Sequence, residues 1–141
     1  MANIVELREL SDAEIKEALE EAREEMFNLR FQKATGSLEN TARIGQVKRE
    51  IAQLSELLRK REWAVEEAAK VADIAAVLEG KEWTGEARYD YEAGYHKVVL
   101  SDANGKELAT ADVDLNKKRR RTRRQRSDIP PILKVDSYEV A

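Results

Sequence analysis

The sequence contains no cysteine, which excludes a disulfide frame, thiolate chemistry and cysteine-ligated zinc. Its single histidine, His96, rules out a histidine-rich metal site. There is no glycine-rich phosphate loop, no nucleophile elbow, and no carboxylate pair set apart by its spacing. Catalysis is therefore not expected, and neither a cofactor nor a metal is assigned. His96 itself is expected to be a packed or partly exposed structural histidine. Uninterrupted apolar runs of membrane-spanning length are lacking. The start MANIVELREL has neither the apolar core of a secretory signal nor the arginine-serine character of a transit peptide. A soluble cytoplasmic protein is expected.

Proline and glycine are also scarce, and neither occurs between Gly45 and Gly80, so long helices are unobstructed there. Ser11 can cap a first helix with Glu14 reaching back to it, and Leu10 can staple against Ile15. Ile15, Leu19, Ala22, Met26 and Leu29 then recur at three- and four-residue spacings and draw one apolar stripe. The spacing predicts a helix from Ser11 to Thr35, closed by Gly36 in a left-handed conformation. Asn40 offers an oxygen to the first free amides of the next helix. Ile44, Val47, Ile51, Leu54 and Leu58 make a second stripe, so two short-linked helices are expected to face each other as an antiparallel hairpin. Small residues from Val65 to Ala76 carry the helical pattern on to Glu79, either as one helix or with a break between Trp63 and Lys70. The glutamates 17, 20, 21, 24 and 25 read as a solvated face or as a surface that avoids a polyanion.

Three strands follow, Glu86 to Glu92, Tyr95 to Ser101 and Lys106 to Val113. They are separated by Ala93-Gly94 and by Asn104-Gly105, the latter a type I′ signal. Pairing through two-residue turns sets Ala87, Tyr89 and Tyr91 across from Leu100, Val98 and His96, and sets Leu100 and Val98 across from Ala109 and Ala111. All these side chains, with Val113, then share one face. That face is expected to pack on Ile74, Val77, Leu78 and Trp83. The fold class is α+β: a two-helix hairpin with a long second helix, then a three- or four-stranded antiparallel meander and a basic arm.

The net charge of -3 conceals that arm. Residues 117 to 126, KKRRRTRRQR, carry eight cations and no acid. Lys117, Lys118, Arg119, Arg120, Arg121, Arg123, Arg124 and Arg126 cannot share a core, and they need counterions or a polyanion. On RNA each neutralised phosphate releases counterions, and arginine can grip phosphate at two points or stack on a base. A solvated tail or a patch for an acidic protein are the other readings. Beyond it, residues 127 to 133 run extended around Pro130 and Pro131. Ile132 to Val140 reads as a fourth strand or as a peptide that docks on a neighbouring protein.

Residues 27 to 40, FNLRFQKATGSLEN, with ELRELSD before them and LLRKRE after, resemble the bacterial large-subunit ribosomal protein number twenty-nine family from about residue 5 to residue 62. The resemblance implies a helical hairpin at residues 1 to 65 that binds large-subunit ribosomal RNA near the exit of the peptide tunnel, in the cytoplasmic ribosome. It also implies protein twenty-three as neighbour, with nascent-chain chaperones and targeting factors as further candidate partners. Carried onto matching positions, the RNA-facing residues are Arg30, Gln32, Thr35, Gly36, Asn40, Arg43, Lys48, Arg49 and Arg59. Thr41 stands where the family commonly has proline, and Gly45 and Gln53 stand where basic residues are frequent. The second helix is thus less cationic than the family's, and the arm is expected to compensate. Residues 66 to 141 form an extension outside the resemblance: helix continuation 66 to 79, meander 86 to 113, arm 117 to 126 and tail 127 to 141. The competing reading is a free-standing coiled-coil interaction module whose basic arm binds nucleic acid.

Overall fold

The computed structural model describes residues 3–117 and 133–141. Its elements are α1 (Ile4–Glu9), α2 (Asp12–Thr35), α3 (Ala42–Ala69), α4 (Ala72–Leu78), β1 (Trp83–Asp90), β2 (Tyr95–Asp102), β3 (Glu107–Val113) and β4 (Val135–Val140). The chain divides into two compact units, Met1–Arg59 and Lys60–Ala141, with α3 running through the division. The architecture is α+β, as the periodicities imply.

In the first unit, both parts of the capping box at Ser11 form. Glu14 N–H donates to Ser11 Oγ at 3.3 Å, and Ser11 N–H donates to the Glu14 carboxylate at 2.7 Å. Ile15, Leu19, Ala22, Met26 and Leu29 are all buried. Near the helix start, Ile15 and Leu19 pack with Leu7, Leu54 and Leu57; nearer the turn, Ala22, Met26 and Leu29 pack with Val47. Two details depart from the periodic reading. Leu57 takes the buried place expected of Leu58, which is partly buried beside it. The approach to α2 is itself helical: Asn3 and Glu6 cap α1, and Leu7 drops into the core.

In the second unit the long helix is interrupted at Lys70 and Val71. The last amides tighten to three-residue bonds, Lys70 N–H to Glu67 O and Val71 N–H to Ala68 O, both 3.3 Å. Val71 is extended (φ -64°, ψ 129°) and buried, and α4 starts afresh from it. The helix is therefore not continuous to Glu79. Redirecting the chain at Val71 lets Ala64, Ala68, Val71, Ile74 and Leu78 all enter one core with the sheet. Of the expected packing residues, Ile74, Val77 and Leu78 do meet the sheet. Trp83 instead begins β1 and is 36% exposed, while Trp63 of α3 packs against the core.

The sheet has the order β1-β2-β3-β4, each pair antiparallel. Val135–Val140 is the fourth strand that the residue types allowed. Between β2 and β3 the expected partners are found, Leu100 with Ala109 and Val98 with Ala111. The turn type is not I′, which needs positive φ at Asn104; among the described residues only glycines have positive φ, Gly105 at 84°. Asp102 N–H donates to Lys106 O at 2.9 Å around a three-residue loop, and the ladder shifts between Leu100 and Ser101. Between β1 and β2 the register lies two residues from the expected one, with Ala87 opposite Val98 and Tyr89 opposite His96. Residues 91–94 make a four-residue turn there. Gly94 N–H donates to Asp90 O at 2.8 Å, and Asp90 Oδ1 accepts from Glu92 N–H at 3.0 Å. A slip of two leaves every side chain on its face, so the core assignment survives. Tyr91 falls in the turn and is 48% exposed.

Candidate nucleic-acid interface

The hairpin turn is built from the end of α2. Gly36, at φ 76°, lets Ser37 N–H return to Gln32 O at 2.9 Å and Gly36 N–H to Lys33 O at 3.3 Å. The Thr35 hydroxyl reaches Phe31 O and Gln32 O at 3.2 and 3.1 Å, so it serves the helix end first. Across the turn, Ala42 N–H donates to Asn40 Oδ1 at 3.1 Å. These bonds account for Gly36, Thr35 and Asn40 structurally. They tie Gln32, Thr35 and Gly36 together at the end of α2, and Gln32, Thr35, Gly36, Asn40 and Arg30 are all exposed.

Arg30, Lys48, Arg49 and Arg59 are exposed on the helices. Arg43 is differently placed. Its Nε and Nη2 donate to the two oxygens of Glu25 at 2.6 and 2.8 Å, and Glu50 lies 3.9 Å away. This hydrogen-bonded fork ties α3 to α2 and holds the Glu25 carboxyl below its ordinary range. Arg43 thus has a structural partner at the position where family resemblance puts an RNA contact. The Glu25 side of the glutamate-rich face is likewise engaged, and Glu20 pairs with Arg23 at 2.6 Å.

Charge along the hairpin is strongly divided. Residues 26–49 carry Arg30, Lys33, Arg43, Lys48 and Arg49 against a single acid, Glu39. Residues 1–25 carry nine acids against Arg8, Lys16 and Arg23. Of these two stretches, residues 26–49 at the turn end are the one whose charge attracts a polyanion. The shallow groove between α2 and α3 has Glu21, Glu25 and Glu50 on its rim and is the wrong sign for phosphate.

Two side chains at the turn end escaped the sequence reading. Phe27 and Phe31, one helical turn apart, are 70% and 64% exposed. Their signal was available: both fall outside the apolar stripe of α2, where large apolar residues have no intramolecular partner.

In the second unit, Lys118 to Arg126 of the basic arm lie outside the described residues. Lys117 is described and pairs with Asp136 at 2.8 Å. Asp114 N–H donates to Lys134 O at 2.9 Å, and Lys134 Nζ donates to Leu115 O at 3.0 Å. Lys134 Nζ also sits 4.1 Å from the centre of the Trp63 ring, whose Nε1–H donates to Glu67 at 3.0 Å. The chain leaving β3 and the chain returning to β4 are therefore fastened side by side. His96 is 8% exposed and meets Tyr89 edge-on at 5.1 Å, a packed position rather than a cleft. Among the described residues, no group of three or more potential metal ligands converges, and no helix is long and apolar enough to cross a membrane.

Residues 5–61 match the family described as Ribosomal L29 protein. The chain is similar to the large ribosomal subunit protein uL29 of Corynebacterium aurimucosum, 60% identical over 57 residues, which are 40% of this chain and 75% of that protein. The protein of the same name from Geobacillus stearothermophilus is 56% identical over 59 residues, 42% of this chain and 89% of its own. That of Streptomyces griseus is 54% identical over 61 residues, 43% and 82% respectively. The matched region contains the hairpin and its turn.

Proposed function

Since this chain belongs, through residues 5–61, to the ribosomal L29 protein family, we propose that its hairpin binds large-subunit ribosomal RNA through its turn end, close to the exit of the peptide tunnel. The protein is a structural constituent of the bacterial large ribosomal subunit. Family membership also makes its role structural rather than enzymatic. The observation that carries the RNA reading is the division of charge: exposed Arg30, Lys48 and Arg49 stand at the end of the hairpin where acids are almost absent.

Lysines and arginines there neutralise phosphates, and Gln32, Thr35 and Asn40 add hydrogen-bonding oxygens or amides at the turn. Arg43 contributes by bracing α3 against α2, so the cations are presented on a fixed frame. Arg59 adds a cation further along α3. The arm, Lys118 to Arg126, is a second anchor whose cations offset the thin basic character of α3. Protein twenty-three and nascent-chain factors are the neighbours that a tunnel-exit position brings. Residues 66–141 act as an extension at the surface of the subunit. A coiled-coil module needs an uncovered seam, whereas Val47 and Leu54 of α3 are already buried in the hairpin.

Sedimentation of cell extract through a sucrose gradient at high salt tests this directly. The full chain is expected to travel with the large subunit, and a chain with Lys118 to Arg126 neutralised is expected to travel there in low salt but to be stripped at a lower salt concentration than the full chain. A full chain that stays at the top of the gradient even in low salt would show the RNA reading to be wrong.

A further inference from the structure

The two exposed phenylalanines have no role in the hairpin core. Burying a phenylalanine side chain is favourable, so two of them left in water at adjacent turns of α2 are free to gain stability from a ligand that covers them. Phe27 at 70% and Phe31 at 64% exposure are the two largest apolar exposures in the described protein. We infer that Phe27 and Phe31 form a stacking platform for unpaired bases of RNA, with Arg30 beside them engaging an adjoining phosphate. The inference rests on the RNA-binding reading of the turn end and gives it a second mode of contact.

Charge chooses the occupant. The pair lies in the stretch from residue 26 to 49, where five cations face the single acid Glu39. Arg30 is exposed, three residues from Phe27 and next to Phe31. One turn earlier the surface changes to Glu20, Glu21 and Glu24, which bounds the platform on the acidic side. An apolar patch framed in this way suits a ligand with flat apolar faces and a negative backbone. Spacing agrees with it: four residues of helix advance about 6 Å, roughly twice the 3.4 Å repeat of stacked bases. The two rings can therefore flank one base. Stacking on aromatic rings is tolerant of base identity and is worth enough to be read in affinity.

The test compares the full chain with its F27L/F31L and F27Y/F31Y variants for binding to deproteinised bacterial large-subunit ribosomal RNA over a range of salt. Leucine keeps apolar area and removes the ring face; tyrosine keeps the ring. The F27L/F31L variant is expected to bind about tenfold more weakly or worse, with the slope of log K against log salt unchanged because no phosphate contact is lost. F27Y/F31Y is expected to stay within about threefold of the unaltered chain, since its rings still stack. Far-ultraviolet circular dichroism of both variants should match the unaltered chain, because neither side chain is part of the core. Equal binding by F27L/F31L overturns the stacking platform and leaves the RNA reading standing. If that variant binds free RNA normally yet is lost from assembled subunits, the pair is a protein contact and base stacking is wrong. Failure of the unaltered chain to bind the RNA at any salt removes both.

Discussion

Gly36 and Arg43 show how family resemblance and local physics can claim the same residue. Gly36 sits at φ 76° with nothing within 4 Å of the place where a Cβ would be. A side chain there has room but the wrong backbone conformation, which costs about 1–2 kcal/mol for a residue other than glycine. Gly36→Ala should therefore lower the melting temperature by a few degrees, and Gly36→Asn by less, since asparagine tolerates that region better. Thermal unfolding followed by circular dichroism checks both, and an unchanged Gly36→Ala melt would place the demand for glycine on RNA approach instead. The Glu25–Arg43 pair makes a prediction in pH. Its hydrogen bonds hold Glu25 below the ordinary 4.5, so the pair's contribution is present above that value and fades as pH falls through it toward the lowered one. Both side chains are more than a third exposed, 36% and 39%, so solvent screens the pair and its contribution is small. Glu25→Gln should be less stable than the unaltered chain near pH 7, and the gap should close as the pH falls below the ordinary carboxylate value. A gap that is the same at both values would mean the carboxylate's charge is irrelevant to the hairpin.

At the scale of elements, what could be read in advance depended on whether a rule was local or needed tertiary information. The cap at Ser11, the stripe of α2 and the glycine stop at Gly36 are local and were legible. So was the division of side chains between the sheet's two faces, because alternation survives any even slip of register. Turn lengths were not legible. Asp90 and Asp102 each use their side chains to accept backbone N–H groups inside their turns, at 3.0 and 2.9 Å, and so favour longer loops than the following glycines alone suggest. The periodicity allowed either one helix or a break between Trp63 and Lys70; that the chain does break, at Lys70 and Val71, has its cause in the sheet on which α4 lies, which helical periodicity does not contain. In the site, the cations were legible from composition, and the exposure of Phe27 and Phe31 could have been read from their place outside the stripe of α2. Gly85 is a further element-scale demand. A Cβ there would stand 2.4 Å from Val65 Cγ1 and 3.0 Å from Leu100 Cδ2, so β1 can approach α3 only with glycine at that position. Valine is stiff at χ1 and cannot swing away. Gly85→Ala should cost about 1–3 kcal/mol, and Val65→Ala in the same chain should recover part of the loss. Denaturant unfolding that finds Gly85→Ala no less stable would contradict this packing.

Over the whole molecule, one average charge hides two cationic regions separated by acidic ones, and they belong to different units: the hairpin turn to the first, the arm to the second. Binding to a polyanion should reflect both, with unequal weights. The turn region offers Arg30, Lys33, Lys48 and Arg49 as exposed cations, while Lys118 to Arg126 supplies seven. Each phosphate neutralised adds roughly 0.7–0.9 to the salt slope of log K. Replacing the seven arm cations with glutamine should therefore flatten that slope by up to about 5–6 if all of them touch RNA, and it should leave Lys117 to keep its pair with Asp136. Substituting Arg30, Lys48 and Arg49 together should flatten it by about 2–3 but cost more in assembly into the subunit, because those side chains stand on a braced helical frame. The two outcomes separate attraction from placement. An arm that changes the slope but not the final occupancy of large subunits serves capture. If instead the slope is the same with and without the arm's cations, the arm does not meet RNA, and the extension works through proteins at the surface of the subunit.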